Sequence, residues 1–142
     1  TGDARLSLAA EPPQHYDVIA VDAFSGDAIP VHLITAEALD VYRRQLAPGG
    51  IVAFHVSSRY LDLKPIVKQL ADRAGLDALF IEAKDDASKD VWSSDWVLVT
   101  GDSSFLAKPA VTKARQPIVV PAGLRPWTDD YNSILPVLRW RR

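Results

Sequence analysis

Two short runs of β-branched and aromatic residues, separated by a capped helix-length segment, constrain this chain more than any other feature. Tyr16 to Val21 (YDVIAV) ends at Asp22, and Ile51 to Val56 (IVAFHV) ends at Ser57. Near-continuous apolar runs of this length fit strands buried on both faces, as parallel sheets require. Between them Thr35 is suited to cap a helix, and Glu37 falls in its first turn, where a negative charge favours the dipole. Leu39, Tyr42 and Leu46 recur at helical spacing, and Pro48-Gly49-Gly50 stops the run.

The same alternation continues. Ala4 to Ala10 is a short helix-prone stretch broken by Pro12-Pro13, and Ala23 to Pro30 is a loop punctuated by Gly26 and Pro30. Asp62 is placed to cap a second helix, with Pro65 tolerated in its first turn. Ile66, Val67, Leu70 and Ala74 form its apolar face, and Gly75 ends it. Leu79 to Ala83 and Trp96 to Thr100 read as third and fourth strands around the polar loop Lys84 to Lys89. No helix fits between those two strands, so they are expected to pair antiparallel. The segment from 105 onward is proline-rich, with a short helix expected near Ser133 to Leu138. The order predicts an α/β fold: part of a doubly wound, Rossmann-like sheet, mostly parallel, with an antiparallel hairpin at one edge.

Composition narrows the function classes. The chain has 142 residues, enough for a single domain. A net charge of −2 gives no reason to expect nucleic acid as a partner. With no cysteine, disulfides and thiolate chemistry are excluded, and His15, His32 and His55 lack the i, i+4 spacing of a helical metal site, so no metal is expected. No apolar run reaches the length of about 20 residues that a membrane span requires, and a cytoplasmic setting is the default. The absence of methionine, even at position 1, predicts that the sequence begins after some earlier residue.

In doubly wound sheets, ligands bind beyond the carboxyl ends of the strands. That rule singles out Asp22 to Asp27 after the first strand and His55 to Ser58 after the second. Asp22 and Asp27, on a loop containing Gly26, could bind an amine and accept its proton, or could cap a turn and bond loop amides. His55 fits either a hydrogen-bonded core histidine or a site residue. Asp129 and Asp130 beside Trp127 and Tyr131 could line a cationic site, or could cap the helix near Ser133 while Trp127 packs on the sheet.

Several motifs carry a resemblance. YDVIAVD at 16–22, followed by Ser25, Asp27 and Pro30, is similar to a segment of spermidine synthases. Gly2-Asp3-Ala4-Arg5 resembles that family's glycine-aspartate motif, which precedes the segment by about this distance. Leu46-Ala47-Pro48-Gly49-Gly50-Ile51 resembles a turn widespread in methyltransferase-fold proteins. Trp127-Thr128-Asp129-Asp130-Tyr131 with Leu138-Arg139-Trp140 is like the tail of bacterial spermidine-synthase-like proteins, some of them fused to membrane segments.

The resemblance implies residue roles. Asp3 would bind the adenine amino group of decarboxylated S-adenosylmethionine or S-adenosylmethionine, used as co-substrate. Asp22 would orient and deprotonate the attacking amine, and Asp27 would hold the polyamine chain. His55 stands where the family has a glutamine that touches the amine. The implied reaction is aminopropyl transfer to putrescine or a related amine. Methyl transfer, or a non-catalytic domain on the same fold, is the alternative.

No glycine-rich strand-to-helix turn precedes Tyr16. Residues 1–142 are therefore expected to be one domain forming the carboxyl-terminal portion of such a fold, without the amino-terminal half that grips the cofactor. A homo-oligomer is expected through the free edge of the Tyr16 to Val21 strand, and a membrane-attached segment elsewhere in a longer protein fits the tail resemblance.

Overall fold

The computed structural model describes residues 3–22, 30–85, 88 and 92–139. Helix α1 (Ala4–Ala10) starts from Asp3, whose side chain accepts from the Leu6 N–H, and no residue of it is buried. Strand β1 (Tyr16–Val21) follows. A 3-10 turn (Val31–Leu33) leads into α2 (Ala36–Gln45), capped by Thr35 with Glu37 in its first turn, as its sequence predicts. Leu46 is extended rather than helical, so the helix stops one residue before the expected apolar position and β2 (Leu46–His55) begins there. The cause lies in the Pro-Gly-Gly segment. β1 and β2 pair in parallel, but the register jumps from Tyr16↔Leu46 to Val18↔Ile51, so the intervening residues bulge out, with Gly49 at φ +78°.

Helix α3 (Lys64–Arg73) carries Pro65 in its first turn. Asp62 does not cap it. Leu63 holds the cap position without a side-chain bond, and the Asp62 carboxylate meets Lys64 at 3.1 Å instead. Strands β3 (Asp77–Ala83) and β4 (Ser94–Thr100) form the expected antiparallel pair. β4 is inserted between β2 and β3, antiparallel to both, so among the described strands only β1 and β2 pair in parallel and the sheet is mixed rather than mostly parallel as expected. Short helices α4 (Ser103–Leu106) and α5 (Pro109–Ala114) then lead to the two-residue β5 (Arg115–Gln116), completing the sheet order β1-β2-β4-β3-β5. Near Ser133 a single 3-10 turn, Leu135–Val137, stands where a short helix is expected; Pro136 within it has no N–H to donate to a longer helix.

Register decides which side chains share the core. Val52 lies opposite Val99, and Phe54 and Phe80 both lie opposite Val97. These join Leu39 and Tyr42 of α2 and Ile66, Val67 and Leu70 of α3 in one buried cluster. Trp127, fully buried, closes that cluster from the carboxyl-terminal segment, its indole N–H donating to the Ser133 carbonyl at 3.0 Å. The Ala36 N–H donates to the Trp127 carbonyl, so the segment is fastened to the start of α2. β1 departs from expectation in its burial. Among the described residues it is the terminal strand, with the expected free edge, but Tyr16 and Val18 are 40% and 56% exposed rather than buried on both faces. Among the described residues no helix is long and apolar enough to cross a membrane.

Candidate functional site

Parallel pairing brings the carboxyl ends of β1 and β2 to the same rim. Val21 sits opposite Phe54, so the residues that follow, Asp22 and His55, come side by side. His55 Nδ1 and Asp22 Oδ1 are 2.7 Å apart. The other ring nitrogen, Nε2, lies 2.8 Å from Ser57 Oγ, and Ser57 Oγ accepts the Asp95 N–H at 2.7 Å. His55 points away from the core because Phe54 points into it, and side chains alternate along a strand. On that outer face it meets its cross-strand partner Trp96, with ring centroids 4.9 Å apart and planes 24° from parallel. The imidazole is thus fixed in plane by an aromatic and at both nitrogens by oxygen.

Two recesses open onto this chain of bonds. One, of about 140 Å³, runs between α1 and β1 and is lined by Ala4, Leu8, Ile19, Asp22, Leu33 and Tyr42. The other is a groove of about 620 Å³ on the Ser57 side, reaching Arg59, Glu82, Lys84, Asp85 and Asp95. The Asp22 side chain is 58% exposed and that of His55 only 20%. A carboxylate open to solvent and backed by an imidazole can bind a cation or accept a proton.

Asp3 lies next to the first recess, beside Ala4. One carboxylate oxygen accepts the Leu6 N–H at 3.0 Å and the other lies 2.7 Å from His32 Nε2. The Leu6 N–H, helped by His32, holds this carboxyl below its ordinary value. A carboxylate offers about four lone-pair positions, so two partners leave acceptor capacity for an amino group. A separate recess of about 360 Å³, bounded by Arg5, His32, Asp129 and Asn132, adjoins it. Asp27 lies outside the described residues.

The acids near the tail have other work. Asp129 is held bidentately by Arg5 at 2.7 and 2.6 Å and accepts the Thr35 hydroxyl at 2.9 Å. That pairing, led by the Arg5 bond, keeps its carboxyl below the ordinary range. The Asp129 N–H donates to Glu37. Asp129 therefore caps no helix near Ser133, and its cation is supplied from within the chain. Tyr131 similarly carries the Arg125 guanidinium 3.9 Å above its ring. Trp127 packs in the core, as one of the two sequence readings holds. Among the described residues, no group of three or more His, Asp or Glu side chains is placed to hold a metal ion.

Sequence reasoning reached Asp22 and His55 separately; the structure joins them. It missed the parts of Ser57 and Trp96. Ser57 stands two residues past His55 at a strand end, and Trp96 could have been found by aligning β4 antiparallel against β2.

No family model matches the chain. A polyamine aminopropyltransferase from Vibrio vulnificus is 40% identical over 60 residues, which is 41% of this chain and 20% of that protein. The crystal structure of a probable spermidine synthase from Corynebacterium glutamicum superposes with a TM-score of 0.55 at 23% identity, covering 80% of this chain and 42% of that one. The chain thus spans 20% of the length of the one relative and 42% of the other. The structural likeness speaks for the fold and the sequence match for kinship. Over part of its length the chain is thus similar to a polyamine aminopropyltransferase, and it shares an α/β, Rossmann-like fold with a probable spermidine synthase.

Proposed function

We propose that this chain contributes the acceptor side of an aminopropyl transfer from decarboxylated S-adenosylmethionine to putrescine or a related amine. The observation that carries the reading is the Asp22–His55 pair, 2.7 Å apart, at the rim where sheets of this kind receive ligands. The nucleoside would be held at Asp3, beside the recess that Ala4 shares with Asp22. When bound, the co-substrate supplies a sulfonium, a good leaving group, so the protein's share is to position the amine and remove its proton. An amine attacks only when its nitrogen lone pair is free. Asp22 supplies negative charge that favours a cationic amine at this rim, and the paired imidazole provides a place for the proton. Asp27, by resemblance, holds the far end of the polyamine.

A histidine in place of the family's glutamine favours a second reading, methyl transfer from ordinary S-adenosylmethionine, since one fold supports several chemistries. Calorimetric titration with each form of the co-substrate, followed by putrescine, separates the two. The expected result is tighter binding of the decarboxylated form and putrescine binding that is lost in Asp22→Asn. Preference for the ordinary form with indifference to putrescine would move the protein to the methyltransferases.

A further inference from the structure

Hydrogen-bond polarity around His55 can be worked out from one unambiguous donor. The Asp95 backbone N–H can only donate, so Ser57 Oγ accepts there. The hydroxyl keeps one proton to give, and His55 Nε2 lies 2.8 Å away. If the ring instead carried its single proton on Nε2, bare Nδ1 would face the Asp22 carboxylate at 2.7 Å, lone pair against lone pair. With Asp22 ionised and the ring neutral, the proton must sit on Nδ1. The bonds then run in one direction, from Ser57 to His55 to Asp22. A base wired this way accepts its next proton at Nε2, on the Ser57 side, and the carboxylate steadies the resulting imidazolium.

From this polarity we propose that the groove beside Ser57 takes the amine acceptor, and that Ser57 and His55 carry the acceptor's proton while Asp22 serves as their charge partner. This rests on the transferase reading and changes where its chemistry occurs. The acceptor arrives as an ammonium, and one of its N–H groups gives its proton to Ser57 Oγ as the hydroxyl proton passes to His55 Nε2. The electron pair of that N–H bond stays on nitrogen and forms the new C–N bond, while the C–S pair leaves on sulfur. The groove suits the ligand: at about 620 Å³ it exceeds the 140 Å³ recess at Asp22, and Glu82, Asp85 and Asp95 outnumber Arg59 and Lys84 along it. Ser57 both lines the groove and bonds the imidazole.

The test uses the ¹⁵N-labelled chain at about pH 8, above the ordinary imidazole range. Long-range ¹H–¹⁵N spectra of its three histidines are expected to show His55 protonated on Nδ1 and bare on Nε2. Titration with 1,4-diaminobutane should then move the amides of Ser57, Ser58, Ser94 and Asp95. Ser57→Ala should weaken that binding about tenfold, and Ser57→Thr, which keeps the hydroxyl, should restore it. Unchanged His15 and His32 signals show that each variant is folded. A proton on Nε2 overturns the wiring, and shifts clustered at Ile19, Leu33 and Tyr42 overturn the groove. If the diamine moves nothing, the amine reading fails together with the groove, and the His55 spectrum still judges the wiring alone.

Discussion

Tyr42 is 2% exposed, and its hydroxyl donates to the Leu33 carbonyl at 3.0 Å, pinning α2 to the turn before it. Burial pushes its phenol up to about 12. A folded-state pKa above the unfolded value of about 10 means that the protein is stabilised while the phenol stays protonated. That stability is complete below about pH 10 and is lost as pH rises toward 12. Asp129 has the opposite sign: Arg5 lowers its carboxyl, so its contribution is present above the ordinary carboxylate range and disappears as pH falls through the lowered value. Denaturant titrations of Tyr42→Phe are expected to show a loss of about 1 kcal/mol at neutral pH. The variant should also lack the alkaline decline of the parent. An equally steep alkaline decline in the variant would assign it to another group.

At the scale of elements, β1 is the most consequential strand because half of its hydrogen-bonding capacity faces outward at the sheet edge. Exposed Val18 and Tyr16 make that edge apolar, and an apolar edge is a template for another strand. Light scattering is expected to show a dimer or larger assembly that Val18→Lys converts to monomer; a monodisperse monomer without the substitution would dismiss the pairing. Most elements were readable from local chemistry. Thr35, Glu37 and the spacing of Leu39 and Tyr42 announced α2, and the short connection between β3 and β4 required their antiparallel pairing. What failed depended on neighbours. YDVIAV reads as doubly buried whether or not a second strand flanks it, and Leu46 fits a helical face until the parallel register pulls it into β2. The site was half legible for the same reason: Asp22 and His55 stood out as strand-end residues, whereas Ser57 and Trp96 acquire their parts only through pairing with β4.

Across the whole molecule, the segment after β5 contains almost no regular structure yet closes the core. Trp127 is the largest fully buried side chain, and Leu124 and Val137 join it in the cluster. Trp127→Ala should cost about 3–5 kcal/mol in urea unfolding. A loss below 1 kcal/mol would mean that the segment is peripheral. Helix α1 depends on this segment too. It buries none of its own residues and is held by the Arg5–Asp129 pair and by bonds from Gln45 to the Leu8 and Glu11 carbonyls. Arg5 and Asp129 are 124 positions apart, and closing so long a loop is entropically slow. Ala4 and Leu8 form one wall of the Asp22 recess. One side of the recess that Asp22 opens on is thus braced from two distant parts of the chain, by Gln45 at the end of α2 and by Asp129 in the closing segment.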